Sequence, residues 1–326
     1  MLKYINVLLA DTAVSFCHYE NTNAGRNKWI TTELLNNIIR YCQTQKLSIN
    51  YIFPKDTVPA ELLELIEKTG HFKIASREVS VNATAVVLKP SDLEKLNWLD
   101  TSNKKIIILR VNKTEVKNLH KLLERLVNKF VKITLVLTDI EFYTEEDIEA
   151  YKQELEKSEE CLFQQYKDVK DSLPEINFIS DLWFARQMNN CNAGIDHYTF
   201  APDGKFYICP AFYHNGSKSI GDLSEIQVKN SHLFSLEFAP LCSRCDAFHC
   251  KRCVYLNHLL TEEFNTPSSQ QCRLAHIERE CSRQLLERLK QANPLFLQIL
   301  PIKIINYNDP MEKILRNEYE NTRRAL

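Results

Sequence analysis

Residues 105–138 read KIIILRVNKTEVKNLHKLLERLVNKFVKITLVLT. The stretch opens with a short apolar run, Lys105 to Val111, and closes with another, Ile133 to Thr138. Between them, apolar residues recur at the three- and four-residue intervals of an amphipathic helix: Val116, Leu119, Leu122, Leu123, Leu126, Val127 and Phe130. A strand, a helix and a second strand in this order predict a βα crossover unit with two parallel strands.

The same alternation extends outward from this stretch as far as Ile179. It predicts five further strands: Tyr4–Leu9, Ser48–Phe53, Phe72–Ala75, Ala85–Leu88 and Asn177–Ile179. A helix is predicted from Pro59 to Thr69, and Thr144 with Asp147 has the spacing of a capping box. The units predict an α/β fold, either a partial or complete (β/α) barrel or an open doubly wound sheet. Periodicity does not distinguish the two.

The overall composition excludes several classes of protein. The 326 residues are 44% hydrophobic and 25% charged, close to the globular average, so a disordered or fibrous chain is excluded. The 41 Lys+Arg and 42 Asp+Glu give a net charge of −1 and therefore no whole-chain attraction to nucleic acid or an anionic membrane. No apolar run approaches the ~20 residues that cross a bilayer, and no secretory cleavage site is evident. We expect a cytoplasmic protein with neither a nucleic-acid nor a membrane partner.

Two residue counts are unusual. The chain has only 6 glycines, which argues against glycine-rich phosphate loops, and it has 11 cysteines. Eight of these cysteines lie close together: Cys191, Cys209, Cys242, Cys245, Cys250, Cys253, Cys272 and Cys281. In a reducing compartment, such a cluster indicates metal ligands more often than disulfides. All eight are therefore predicted metal ligands.

The change in composition also predicts domain boundaries. We expect a (β/α) domain over residues 1–184, a cysteine-rich α+β domain over 185–290, and a C-terminal segment over 291–326 with a terminal helix from Met311 to Leu326. Within the second domain, the turn Pro202-Asp203-Gly204 separates two β-like runs. A hairpin is predicted there, which would bring Cys191 and Cys209 to a common metal.

The spacing of the cysteines leaves zinc and iron–sulfur clusters open. Residues 242–253 read CSRCDAFHCKRC, so that two C-x2-C pairs are separated by only four residues. Zinc ribbons usually separate such pairs by about 15–20 residues, and one zinc needs only four ligands. Eight cysteines match two Cys₄ clusters of the [4Fe–4S] type. His249 is a further candidate zinc ligand, although a loop residue of no metal function is the more ordinary interpretation.

The full pattern resembles the SPASM domain, the C-terminal auxiliary-cluster domain of radical SAM peptide maturases. It reads C-x12-G-x4-C from Cys191 to Cys209, then C-x2-C-x4-C-x2-C, and then Cys272. The family pattern has five and three residues where this chain has four and two. Residues 201–210, APDGKFYICP, resemble the family's hairpin, and residues 219–223, SIGDL, resemble the segment after it. The resemblance covers residues 190–275, and over the first 180 residues it is one of topology only.

The resemblance implies two [4Fe–4S] clusters with interleaved ligands. One cluster would be held by Cys242, Cys245, Cys250 and Cys272, and the other by Cys191, Cys209 and Cys253. The fourth position of the second cluster is then open, water-bound, or filled by Cys281, Asp196 or His197. An open iron would favour a soft thiolate from a peptide as its ligand.

The N-terminal residues depart from the radical SAM family. Its members carry CxxxCxxC after the first strand, whereas residues 10–21, ADTAVSFCHYEN, contain Cys17 alone. One thiolate cannot hold a cuboidal cluster, so no S-adenosylmethionine site is expected. A lone cysteine is more often structural than functional. The chain looks most like the CXXX-repeat peptide maturase type, as a degenerate member with a partial (β/α) barrel resembling the radical SAM fold.

Three functions follow as hypotheses. The first is an iron–sulfur-cluster-carrying maturation protein for a ribosomally made, cysteine-rich precursor peptide, acting with a separate radical SAM enzyme rather than by its own SAM cleavage. The second is a non-catalytic peptide- or protein-binding module with structural zinc. The third is a zinc protein that binds nucleic acid through basic residues near the cysteines, namely Arg244, Lys251, Arg252, Arg273 and Arg279. The near-neutral net charge of the chain disfavours this third hypothesis. No residue is predicted to be catalytic, and whether the chain is an enzyme stays open.

Overall fold

The computed structural model describes residues 2–21, 28–76, 82–93, 106–127, 129–170, 174–188, 191–300 and 302. Within them, ten strands form one mixed sheet and eight α-helices surround it. The predicted terminal helix from Met311 to Leu326 lies outside the described residues.

The first seven strands run parallel in sequence order. Six of the predicted strands are confirmed, each end falling within one residue of its prediction. The strands are β1 (Tyr4–Leu8), β2 (Ser48–Ile52), β3 (Phe72–Ser76), β4 (Ala85–Leu88), β5 (Ile106–Val111), β6 (Lys132–Leu137) and β7 (Glu175–Ile176). A doubly wound sheet reverses its strand order near the middle, and this sheet does not. The seven strands thus follow one another across the sheet in sequence order.

The predicted position of the seventh strand was wrong. Asn177–Ile179 form a turn, and the strand ends at Ile176. The side-chain amide of Asn177 takes the place of the next backbone hydrogen bonds between β7 and β6. It accepts from the Leu135 N–H at 2.8 Å and donates to the Leu135 carbonyl at 3.0 Å. The Ser180 hydroxyl then accepts from the Ile176 N–H at 2.7 Å and holds the turn.

The helices begin and end at signals that the sequence carries. They are α1 (Thr32–Gln45), α2 (Ala60–Glu67), α3 (Leu119–Leu126), α4 (Glu145–Tyr166), α5 (Ser180–Phe184), α6 (Pro210–His214), α7 (Val254–Thr261) and α8 (Ser269–Ala292). The capping box predicted at Thr144 and Asp147 is present at the start of α4. Pro59 is the N-cap of α2, so the helix begins one residue after its predicted start at Pro59 and ends at Glu67, two residues before its predicted end at Thr69.

The predicted hairpin is present, and its first strand pairs directly with the first of the parallel strands. It consists of β8 (His197–Phe200) and β9 (Lys205–Tyr207), and β10 (Gly221–Asp222) pairs with β9. Gly204 has φ 81° in the turn, a conformation that favours glycine. β8 lies parallel to β1, with Ile5 opposite Tyr198. One sheet thus runs across the boundary predicted at residues 184/185, and the boundary itself stays a prediction.

The C-terminal helix α8 is anchored on the N-terminal half of the chain. Fully buried Trp183 donates its indole N–H to the Ser282 carbonyl at 3.0 Å, and the Ser282 hydroxyl donates to the Ile179 carbonyl at 2.6 Å. Arg288 binds Glu159 of α4 at 2.8 Å. These contacts hold the middle and the C-terminal part of α8 against α4, α5 and the turn before α5. In the part of the chain described, no helix has both the length and the apolar character that a membrane crossing requires.

Candidate metal centre

The first cysteine group comprises four residues lining one small cavity of about 30 Å³: Cys242, Cys245, Cys250 and Cys272. Its loop is tightly folded, since the Cys245 N–H donates to the Cys242 carbonyl at 3.2 Å and the Cys250 N–H donates to the Ala247 carbonyl at 2.9 Å. Cys272 comes from the first turn of α8, which a capping box between Ser268 and Gln271 fixes in place. A distant helix thereby supplies one member of the group.

The second cysteine group lines a larger cavity of about 390 Å³: Cys17, Cys191, Cys209 and Cys253. The Cys191 N–H donates to the Lys251 carbonyl at 2.6 Å, which clamps residue 191 beside the loop leading to Cys253. Cys209 and Cys253 are the N-cap residues of α6 and α7. Cys17 comes from the loop after β1, and the cysteine spacing alone did not predict it as a member.

The two groups also differ in which neighbouring thiols raise the pKa of each cysteine. Burial raises the pKa of Cys250 to about 12, and the neighbouring thiols that raise it further are Cys242 and Cys245. Burial raises the pKa of Cys253 to about 12 as well, but its thiol neighbour is Cys191. Cys250 lines both cavities, but its thiol neighbours belong to the first group, whereas Cys253 lines only the larger cavity and its thiol neighbour belongs to the second group.

Arg252 lies between the two groups. Its φ of 41° turns the chain between Cys250 and Cys253, a conformation uncommon for a residue with a side chain. The guanidinium is buried, lines both cavities and donates to the Phe234 carbonyl. Burial lowers the pKa of Arg252, while thiols of both groups raise it. A buried cation at this place offsets negative charge on either side.

Backbone N–H groups surround the sulfur atoms and favour their thiolate forms. The Ala247 N–H donates to Cys245 Sγ at 3.4 Å. Backbone donors also lower the pKa of Cys209 (from Phe212 and Ala211) and of Cys253 (from Leu256 and Tyr255), against the larger effect of burial. Buried cysteines with N–H donors aimed at their sulfurs suit a metal or a cluster, because bound thiolates need such partners. The donor set therefore fits iron–sulfur clusters.

A second type of donor set lies at the edge of the first group. Among the described residues, Cys245, Asp246 and His276 place one ligand atom each within 4.8 Å of one another. His276 Nε2 lies 3.4 Å from Cys245 Sγ, and Asp246 forms an ion pair with Arg279. Sulfur, carboxylate and imidazole are ligands that zinc accepts.

The three residues proposed for the fourth position of the second cluster, Cys281, Asp196 and His197, lie in different surroundings. Cys281 is buried between α8 and α4, where its thiol donates to the Leu155 carbonyl at 3.5 Å, and it lines neither cavity. Asp196 pairs with Lys3 at 2.7 Å and accepts from the Asn192 side chain at 3.0 Å. His197 lines the larger cavity, and its ring stacks on Tyr4 with 4.6 Å between centroids. Burial lowers the pKa of His197 to about 4.

The larger cavity also contains a buried polar chain. His249 Nε2 lies 3.1 Å from a Glu278 carboxylate oxygen, and the other oxygen accepts from the Tyr151 hydroxyl at 2.6 Å. His249 Nε2 is thus occupied by Glu278, while Nδ1 is buried without a hydrogen-bond partner, and His249 belongs to no group of three closely spaced potential ligands among the described residues. Opposite it, Asn50 donates to the side chain of Asn6 at 3.0 Å. Both asparagines line the cavity from the parallel strands.

Three of the five basic residues near the cysteines pair with acidic residues of the chain, and Arg244 is exposed. Arg279 pairs with Asp246, Arg273 pairs with Glu145, and Lys251 lies 3.5 Å from Asp181. Arg252 is buried. These four cations are therefore occupied internally, which is not the arrangement of a phosphate-binding surface.

Sequence reasoning missed two members of the site. His276 had a signal, because it follows Cys272 by one helical turn in α8 and so shares a face with it. Cys17 had none, because a single cysteine far from the others in sequence carries no spacing. The pairing of β8 with β1 brings the loop after β1 close to the second group.

The chain matches no family model and no curated protein. Among solved structures, SuiB of Streptococcus suis bound to its precursor peptide SuiA is similar with a TM-score of 0.45 and 11% identity, over 83% of this chain and 76% of that chain. SuiB bound to S-adenosylmethionine gives a TM-score of 0.42 and 10% identity, over 83% and 75%. A likeness with a TM-score below 0.5 does not assign this chain to a family.

Proposed function

We propose that the protein is an iron–sulfur-cluster-carrying maturation protein for a ribosomally made, cysteine-rich precursor peptide. The observation that carries the proposal is the pair of four-cysteine groups, one of which opens onto the cavity of about 390 Å³. The sequence resemblance to the SPASM domain supports the same assignment. The residues 185–290 would then be the SPASM-like part and residues 1–184 the degenerate radical-SAM-like part.

In this proposal, each cysteine group holds one [4Fe–4S] cluster. Such clusters supply one-electron transfer when bound. The chain contributes the buried thiolates, the N–H donors to their sulfurs, and the Arg252 guanidinium between the groups. The cavity beside the second group would receive a side chain of the peptide. A partner enzyme would perform the radical chemistry, since residues 10–21 offer one cysteine.

The proposal is tested by peptide binding to a cavity-filling variant. Thr134 lines the cavity from β6, whereas Thr44 is exposed on α1, so Thr134→Trp and Thr44→Trp form a matched pair. We expect a cysteine-repeat peptide to bind the cluster-loaded protein and the Thr44→Trp variant equally, and to bind Thr134→Trp at least tenfold more weakly. Alkylation enlarges each peptide cysteine and should also weaken binding. Calorimetric titration under anaerobic conditions makes the comparison.

Equal affinity of both variants, or binding that alkylation does not change, would remove the cavity from the peptide site. Salt-dependent binding without any effect of alkylation would instead indicate a charged surface groove. Circular dichroism of the Thr134→Trp variant controls for misfolding, since its sheet content should match that of the parent.

The absence of SAM cleavage is a second expected result. We expect the reduced, cluster-loaded protein to release no 5′-deoxyadenosine from S-adenosylmethionine above the level of a protein-free control. The physical reason is that a cuboidal cluster with a free iron needs three thiolates, and the loop after β1 supplies one. Mass spectrometry of the products measures it. Release above the level of that control would refute the expectation.

Structural zinc is the second candidate function, and the trio Cys245, Asp246 and His276 is the observation that favours it. In that case the protein is a binding module in which the metal stabilises the cysteine-rich region. Metal analysis distinguishes the two. One tightly bound zinc per chain and no iron after anaerobic reconstitution would establish the zinc module and exclude the cluster protein.

A further inference from the structure

The loop that carries Cys17 is fixed from both sides by buried and partly buried hydrogen bonds. Arg110 of β5 donates to the Tyr19 carbonyl and to the Glu20 carboxylate, both at 2.7 Å. His18 Nδ1 lies 2.8 Å from the Leu137 carbonyl at the end of β6. Asn21 donates to two carbonyls of the same loop at 2.9 Å. Residue 17 is therefore held at a defined place relative to the strand ends.

The fixed loop packs Cys17 into the second cysteine group. Its side chain belongs to the same apolar cluster as Cys191 and Cys209 and lines the same cavity as Cys253. The Tyr19 ring, two residues on, stacks on His214 at 5.3 Å between centroids and so joins the loop to α6, next to Cys209. Burial raises the pKa of Cys17 well above its ordinary value, and the other three thiols of the group add to the effect.

The sulfur spacing of the second group does not match that of a tetrahedral zinc site. A tetrahedral zinc with bonds of about 2.3 Å places its sulfurs about 3.8 Å apart. No three of the four sulfurs in the second group, all of them in described residues, lie within 4.8 Å of one another. In a cuboidal cluster each cysteine binds a different iron, so the sulfurs stand further apart.

We propose that Cys17 is the fourth ligand of the cluster held by Cys191, Cys209 and Cys253. The inference rests on the proposed function and completes its second site. The cluster then has four protein thiolates and no open iron, and it joins the loop after β1 to the cysteine-rich segment. A peptide thiolate therefore enters the cavity without binding that cluster.

The test compares Cys17→Ala and Cys17→Ser with Cys161→Ser, all as full chains reconstituted anaerobically. Cys161 lies on α4 in contact with Gln165 and belongs to neither group. We expect Cys161→Ser to match the parent in iron content and spectra. Cys17→Ala should retain both clusters, lose about one iron of about eight on mild oxidation, and then show the paramagnetic signal of a [3Fe–4S] centre. Added 2-mercaptoethanol should change its spectrum before oxidation by binding the open iron.

A parent protein whose cluster spectrum responds to 2-mercaptoethanol as strongly as the Cys17→Ala variant would overturn the inference, and this measurement does not require the variant to fold. The inference also fails if Cys17→Ala matches the parent while His197→Phe shows the oxidation-induced signal. These outcomes differ from failure of the proposed function, in which the parent itself binds no iron.

Discussion

Anaerobically reconstituted protein should contain about eight irons per chain, and the Cys250→Ser variant should contain about four. The expectation follows from the thiol neighbours of Cys250, which are Cys242 and Cys245 of the first group. Removing one of four thiolates from a small buried site leaves that cluster labile. The second cluster keeps all its ligands, so iron analysis and the visible spectrum should both fall to about half.

The matched variant is Cys253→Ser, three residues away. It should keep all irons of the first cluster and lose about one iron of the second on mild oxidation, as Cys17→Ala does, so the paramagnetic spectra of the two variants should differ. Cys281→Ser should lose none, because the Cys281 thiol is bonded to the Leu155 carbonyl. Identical spectra in the two variants, or no iron loss in either, would show that the ligands are not interleaved.

The parallel sheet was readable from the sequence because its signals are local. Buried runs such as Ile106–Val111 are continuous in sequence, and the caps at Thr144 and Pro59 lie within four residues of what they fix. The seventh strand failed for a reason that strand propensity does not contain. Asn177 is bonded through its side chain to Leu135, a residue of another strand.

The candidate site was readable only where its ligands are close in sequence. The C-x2-C pairs and the hairpin after Cys191 follow from spacing, and the structure brings those cysteines into two groups. The fourth member of the second group depends on a long-range fact, the pairing of β8 with β1, which carries the loop of Cys17 to Cys209. Cys281 illustrates the converse, since a cysteine near the others in sequence is turned into the core by the packing of α8 on α4.

The metal-free protein should lose stability steeply above pH 9. Burial raises the pKa of Cys242 to about 11, and those of Cys250 and Cys253 to about 12, whereas an unfolded thiol titrates near ~8.5. Between these values only the unfolded chain is deprotonated, so stability is fully present below ~8.5 and falls by about 1.4 kcal/mol per pH unit for each thiol. At pH 10 each of the three costs about 2 kcal/mol, and their sum approaches the whole stability of an ordinary domain.

Denaturant unfolding of chelator-treated protein at pH 8 and pH 10, anaerobic and fully reduced, measures this loss. The Cys242→Ala variant should lose less between the two pH values, because one titrating thiol is gone. The cluster-loaded protein should show a far weaker dependence, since its sulfurs are already deprotonated and bound. Equal stability of the metal-free protein at both pH values would mean that burial does not hold its thiols neutral.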